Sequence, residues 1–292
     1  MKKQLRFITS LLLLLVIGLI AGCQSSQQSS SQSQQPKKLV FGVAPGPYGD
    51  MIRYAIKPSL EKKGYTVELK EFSDYVQPNL ALNNKELDAN LFQHKPYLEK
   101  FSADKGLKLS PVINVPTAGL GIYSKKINAT NESDLKKALK PGDEITLAND
   151  PTNLARALRL LEKNKIITLQ PSIDATKASE KDIAQNPYGL KFSPIEAAQL
   201  PRSLDSITLS VVNGNYAIAA GINLSSAIIK EELSDELKNL IAVRTEDLDK
   251  QFVKDLKEIV ESEEFKTVIE DPKHVFKDFQ KPDWYTKKWN LK

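Results

Sequence analysis

Residues 38–72 read KLVFGVAPGPYGDMIRYAIKPSLEKKGYTVELKEF. Lys38 to Val43 is a short apolar run that stops at the turn-rich Pro45-Gly46-Pro47-Tyr48-Gly49. A helix pattern follows from about Asp50 to Lys63, Gly64 ends it, and Thr66 to Phe72 reads as the next strand. The stretch is therefore a βαβ unit, and a parallel pair joined by a helix calls for a sheet covered on both faces.

The same alternation continues outward. Helical patterns at Asn79 to Asn84, Pro96 to Lys105, Ser133 to Leu139, Asn153 to Asn164, Ser193 to Leu200 and Leu224 to Glu231 alternate with strand-like runs such as Ala89 to Phe92, Ala118 to Ser124 and Ile207 to Val212. The expected class is α/β with mainly parallel sheets. Gly119 and Gly121 flank a plausible first crossover and Ala219-Ala220-Gly221 a second, so two lobes with a central ligand cleft are the natural reading. Leu240 to Val243 as a strand and Glu246 to Ile269 as mostly helix return to the first lobe. The lobes are taken as residues 38–120 with 232–292, and residues 121–231. No internal repeat of fixed period is visible.

Length and composition agree with a folded body. The 292 residues suffice for one large or two smaller domains, and 41% hydrophobic with 26% charged residues excludes a wholly disordered chain. One cysteine permits no internal disulfide and no cysteine-based zinc cluster, and two histidines, His94 and His274, permit no multi-histidine metal site. Carboxylate-only calcium or magnesium sites stay open on composition alone.

The cysteine belongs to the N-terminus. Lys2, Lys3 and Arg6 precede an apolar core from Leu11 to Ile20, and Ile20-Ala21-Gly22 leads into Cys23. Residues 1–22 read as a secretory signal, too short for a comfortable membrane span. With Cys23 at the cleavage point the segment resembles the lipobox of bacterial lipoproteins, which implies a diacylglyceryl group on its sulfur and cleavage before it. The bland alternative is an ordinary signal peptide with a coincidental cysteine. Two acyl chains on one residue would satisfy the two-signal rule for stable anchoring. Residues 23–37 form a Ser/Gln-rich tether whose part QSSQQSSSQSQQPK, residues 24–37, has no strongly apolar side chain to offset the entropy of ordering. Removing residues 1–22 removes three cations, so the net charge falls from +5 to +2 and no block of like charge is left to suggest nucleic-acid binding.

Four motifs carry candidate chemistry. Phe72-Ser73-Asp74-Tyr75-Val76-Gln77-Pro78-Asn79 joins a strand to a helix, a junction where open α/β sheets place ligands; Tyr75 either faces the cleft or packs locally. In DANLFQHKPYL, residues 88–98, Phe92, His94 and Tyr97 could line one apolar pocket, although a lone histidine among aromatics is more often a hydrogen-bonded structural residue. In ANDPTNLARAL, residues 148–158, Asn149 or Asp150 caps a helix with Pro151 at its first position and Leu154, Leu158 and Leu161 on the buried stripe. Arg156 lies off that stripe. Beyond the signal the chain has five arginines against 33 lysines, and an arginine matters where a planar fork must grip a carboxylate. Arg159, one turn later, serves as the control on a solvated face. In VVNGNYA, residues 211–217, Asn213 ends an apolar strand with both donors and an acceptor, which suits a zwitterion; Asn-Gly is equally a turn signal.

Taken in order with the lipobox and tether, these four motifs resemble the methionine-binding lipoproteins that serve ABC importers, the NlpA/MetQ family, over essentially the whole mature chain. The resemblance implies a two-lobed, type II periplasmic-binding-protein-like fold with an amino acid in the cleft. It implies that Arg156 grips the ligand carboxylate, that Asn213 fixes the amino-acid backbone, and that Tyr75, Phe92, His94 and Tyr97 form the side-chain pocket. Asn239, in KNLIAVR (residues 238–244), falls where the family often has an asparagine before the returning strand and joins the set. Ala148 stands where the family usually has proline, a departure outside these contacts. A thioether among rings gains sulfur–aromatic contacts of roughly 0.3 to 1.5 kcal/mol, so methionine suits the pocket.

The expected function is capture of L- or D-methionine and delivery to a membrane permease with paired cytoplasmic ATPases. The expected state is a monomer on the extracytoplasmic face of the cell membrane, anchored by lipid on Cys23, with no cofactor, metal or catalytic residue. The chain has no GxxxxGK[ST] and so is not the ATPase. A surface hydrolase lacks its nucleophile motif, since neither G-x-S-x-G nor HExxH occurs. Another apolar amino acid, a short methionine-containing peptide, or an additional adhesin role are the remaining alternatives.

Overall fold

A computed structural model describes residues 37–174 and 177–291. The signal segment, Cys23 and the tether as far as residue 36 lie outside the described residues. Strand β1 is Lys37–Val43, followed by helix α1, which runs over Pro47–Met51, passes through a π turn at Ile52–Ile56 and resumes over Lys57–Lys62. Pro58 explains the π turn: it supplies no N–H and crowds the preceding turn, and the helix widens just ahead of it. Strand β2 (Tyr65–Glu71) then lies parallel to β1, with Phe41 opposite Leu69, as the βαβ reading requires.

Helix α2 (Gln77–Asn83), strand β3 (Ala89–His94), helix α3 (Lys95–Lys105) and strand β4 (Leu109–Asn114) extend the first lobe. The second lobe holds strand β5 (Gly121–Tyr123), helix α4 (Glu132–Ala138), strand β6 (Glu144–Ala148) and helix α5 (Pro151–Lys163). A small antiparallel pair, β7 (Thr168–Leu169) with β8 (Ile183–Gln185), precedes β9 (Lys191–Ile195), helix α6 (Leu200–Ser203), β10 (Leu209–Val212), helix α7 (Gly214–Ala219) and β11 (Ile229–Lys230). The chain then returns to the first sheet as β12 (Asn239–Arg244) and ends in helices α8 (Gln251–Val260), α9 (Glu263–Glu270) and α10 (Asp283–Lys288).

The first sheet has the order β2-β1-β3-β12-β4 and the second β11-β5-β10-β6-β9. In each, four strands run one way and one is reversed: β12 is antiparallel to both neighbours in the first, and β5 to both neighbours in the second. The reversed strand is in each case the one that arrives from the other lobe. Crossovers at residues 115–120 and 231–238 thus run from an edge strand of one sheet to the strand next to an edge in the other. Each sheet has its own core, with Phe41, Ile52, Leu60, Leu91, Leu256 and Phe265 in the first and Ile122, Leu147, Leu158, Leu161 and Leu209 in the second. Burying one such leucine contributes roughly 1.5–3 kcal/mol relative to leaving it exposed.

Three local expectations are overturned. Ser193 to Leu200 is no helix but the end of β9 and a 3-10 turn, because β9 is an edge strand where Pro194 costs no ladder bond. Leu224 to Glu231 is a 3-10 turn at Leu224–Ser226 and then β11, with Ile228 just before that strand and Ile229 within it buried against the second core. Ala219-Ala220-Gly221 is the end of α7 and no crossover; Gly221, at φ 73°, takes the left-handed conformation that closes that helix.

Candidate functional site

A small cavity lies between the two lobes, and all seven motif residues line it: Tyr75, Phe92, His94, Tyr97, Arg156, Asn213 and Asn239. All but Arg156 come from at or beside an element end. Tyr75 sits in the turn between β2 and α2, Phe92 and His94 end β3, Tyr97 is in the first turn of α3, Arg156 is in α5, Asn213 follows β10 and Asn239 opens β12.

The first lobe supplies the rings. Tyr75 stacks on Phe92 with centroids 5.7 Å apart, and Tyr97 meets both edge-on at 6.0 Å. The Tyr97 hydroxyl donates to the Tyr75 carbonyl at 3.0 Å, which ties the α2 turn to α3. Behind the rings, Gln93 is locked by buried amides, donating to Asn79 at 2.7 Å and to Asn90 at 3.0 Å and accepting from Asn79 at 2.7 Å. Burial raises the Tyr75 and Tyr97 hydroxyls far above the ordinary tyrosine range, so both stay neutral donors.

His94 is both structural and a wall of the cavity. Its Nδ1 accepts the Tyr97 backbone N–H at 3.2 Å and caps α3, so the ring proton sits on Nε2, 3.3 Å from Asn153 Oδ1 across the cleft. Burial, helped by the charge on Arg156, lowers its pKa to about 3. Asn239 donates to the Phe92 carbonyl at 2.9 Å and pins the returning strand beside the box.

The second lobe supplies the polar groups. Asp150 caps α5, accepting the Asn153 N–H at 3.0 Å, and α5 presents Arg156 from a leucine-packed base. Arg156 has five N–H groups. Its Nε and Nη2 donate to Glu231 at 2.7 and 2.5 Å, and Nη1 reaches Asn153 Oδ1 at 3.4 Å. One N–H on each terminal nitrogen remains. Burial works against the guanidinium charge and the Glu231 carboxylate outweighs it, so Arg156 stays firmly protonated. Asn213 donates to Asn153 Oδ1 at 3.1 Å, while its own buried Oδ1 has no hydrogen-bond partner among the described residues. An unmatched buried acceptor costs about 1–3 kcal/mol, and an ammonium N–H would satisfy it.

Arg159 faces away from the cavity, but it is not merely solvated: it holds Glu162 at 2.7 Å and the Ile173 carbonyl at 2.6 Å. Asn153, Asn215 and Glu231 are the residues that motif reading missed. Asn153 and Asn215 lie within quoted motifs and could have been found there. Glu231 carries no local signal, since its role depends on a partner 75 residues away. Asn215 joins the lobes, accepting from the Tyr75 hydroxyl at 2.6 Å and donating to the Pro45 carbonyl at 3.0 Å. Among the described residues no group of three His, Cys, Asp or Glu side chains could hold a metal ion.

Two α/β lobes joined by two crossovers, with a small cavity of one arginine, amides and rings between them, define a solute-binding protein of the two-lobed periplasmic type. The model of the NlpA lipoprotein family matches residues 39–284, and the chain belongs to that family. It is 41% identical over 233 residues to outer membrane lipoprotein 3 of Mannheimia haemolytica, covering 80% of this chain and 86% of that one. It is 37% identical over 251 residues to the D-methionine-binding lipoprotein MetQ of Salmonella typhi, covering 85% and 90%. Among solved structures, a nutrient-binding protein of Burkholderia cenocepacia bound to methionine superposes with a TM-score of 0.75 at 38% identity, covering 82% of this chain and 97% of that one.

Proposed function

We propose that this chain captures methionine between its lobes and delivers it to an ABC permease. In this reading the ligand carboxylate lies on the two remaining N–H groups of Arg156, its ammonium faces Asn213 Oδ1, and its thioether sits among Tyr75, Phe92 and Tyr97. The observation that carries the reading is the meeting, in one cavity, of a buried arginine with donors to spare, an unmatched amide acceptor and an aromatic box. The names of the relatives, one D-methionine-binding and one solved with methionine bound, support methionine.

Anchoring belongs to the same proposal. No helix among the described residues is long and apolar enough to cross a membrane, and a diacylated Cys23 with its tether would hold the monomeric body at the extracytoplasmic face. The body binds its ligand and does not transform it.

Mass spectrometry of small molecules released from the freshly purified chain tests the reading. Methionine at close to one equivalent is the expected result. Release of a methionine-containing peptide or of a different amino acid in that amount would overturn the assignment.

A further inference from the structure

The anchor Arg156 is itself held by a residue outside every motif. Glu231 is 7% exposed and stands at the first position after β11, where the chain leaves the second lobe. Its carboxylate takes three N–H groups: Arg156 Nε at 2.7 Å, Arg156 Nη2 at 2.5 Å and the Leu120 backbone N–H at 2.8 Å. Its own backbone N–H donates to the Leu120 carbonyl at 2.9 Å, and its carbonyl accepts from Gln280 Nε2 at 2.8 Å. Leu120 is the last residue of one crossover and Glu231 the first of the other. Gln280, from the first lobe's C-terminal segment, closes the ring. It exchanges backbone hydrogen bonds with Thr117 at 2.9 and 3.0 Å and accepts from the Leu233 N–H at 2.8 Å.

We propose that Glu231 is the positioning residue of the ligand site. It fixes the direction in which Arg156 presents its two remaining N–H groups and locks that direction to both crossovers. A carboxylate seated on Arg156 is thereby felt as a restraint on the two strands about which the lobes rotate. A side-on pair of this kind is rigid because the guanidinium is planar and both its bonds must hold at once. A residue serving only as a counter-charge would need no bond to the Leu120 N–H. It also makes the opposite prediction: removing its charge would leave more positive potential for an anionic ligand and tighten binding.

The proposal rests on Arg156 being the carboxylate anchor, and its test separates the two. In the purified full-length chain, L-methionine affinity is measured by calorimetry for the wild type, Glu231→Gln and Glu231→Asp. Amide exchange at Leu120 is followed in the same proteins without ligand. Glu231→Gln keeps the size but turns one acceptor into a donor facing Arg156 or Leu120; Glu231→Asp keeps the charge but withdraws it by one methylene. Both are expected to lose affinity by about ten- to a hundredfold, the scale on which orienting partners act in other sites, and to exchange the Leu120 amide faster. Unchanged or tighter binding in either variant overturns the proposal. Should Glu231→Gln fail to fold, Glu231→Asp decides. Should the wild type not bind methionine, the functional reading falls, and Leu120 exchange alone decides whether Glu231 holds the crossovers.

Discussion

His94 shows how one residue's surroundings fix its chemistry. Its Nδ1 is committed to the start of α3, its Nε2 faces Asn153, and burial beside Arg156 keeps the ring neutral. Ligand affinity should therefore be flat between pH 5.5 and 7.5 as far as His94 is concerned. Stability should not be. With a folded pKa of about 3 against an ordinary value of 6.5, the unfolded chain binds a proton that the native one refuses in between. The contribution is complete above about pH 6.5 and is lost as pH falls toward 3. Thermal melts at stepped pH are expected to show this slope in the wild type and a shallower one in His94→Asn; an equal slope in both contradicts the assignment. Histidine among aromatics was readable from DANLFQHKPYL, but not which of its two roles would hold. The structure gives it both a cap and a wall.

At the scale of elements, the site depends on how closely the crossover approaches α7. A Cβ on Gly214 would stand 2.6 Å from both the Ala118 Cβ and the Gly119 carbonyl oxygen, so the first turn of α7 and the first crossover touch only because residue 214 has no side chain. Gly46, at φ 119°, is constrained in the same way from the other lobe, with a Cβ position 2.5 Å from the Asn215 carbonyl oxygen. Gly214→Ala should destabilise the protein by about 1–3 kcal/mol, as overpacking does, and weaken ligand binding because Asn213 moves with its neighbour. Urea unfolding checks the first effect and calorimetry the second; wild-type values in both would show that the contact yields without cost. The longer strands and helices were legible because their periods are long enough to read: β1, α1 and β2 follow directly from residues 38–72. The edge strands were not. β11 has two residues and β9 contains a proline, so their pairing is imposed by the sheet they join. Glu231 was illegible for a related reason, since its burial follows from a meeting of two crossovers 111 residues apart.

At the scale of the whole molecule, the lobes touch across the cleft through few bonds. Tyr75 reaches Asn215, Asn215 reaches Pro45, Tyr216 donates to the Ser73 carbonyl at 3.3 Å, and His94 faces Asn153. A ligand that contacts both lobes adds to this short list and shifts the population toward the arrangement with the lobes together, by as much as its preference for that arrangement allows. The rings come from one lobe and the arginine from the other, so neither lobe alone makes a complete site. Titration of the purified chain with L-methionine, beside Arg156→Ala, probes this division most directly. One equivalent should bind the wild type, and the variant should lose at least about a hundredfold in affinity, near 3 kcal/mol, as expected when a buried charge loses its partner. Undiminished methionine binding by Arg156→Ala would contradict it.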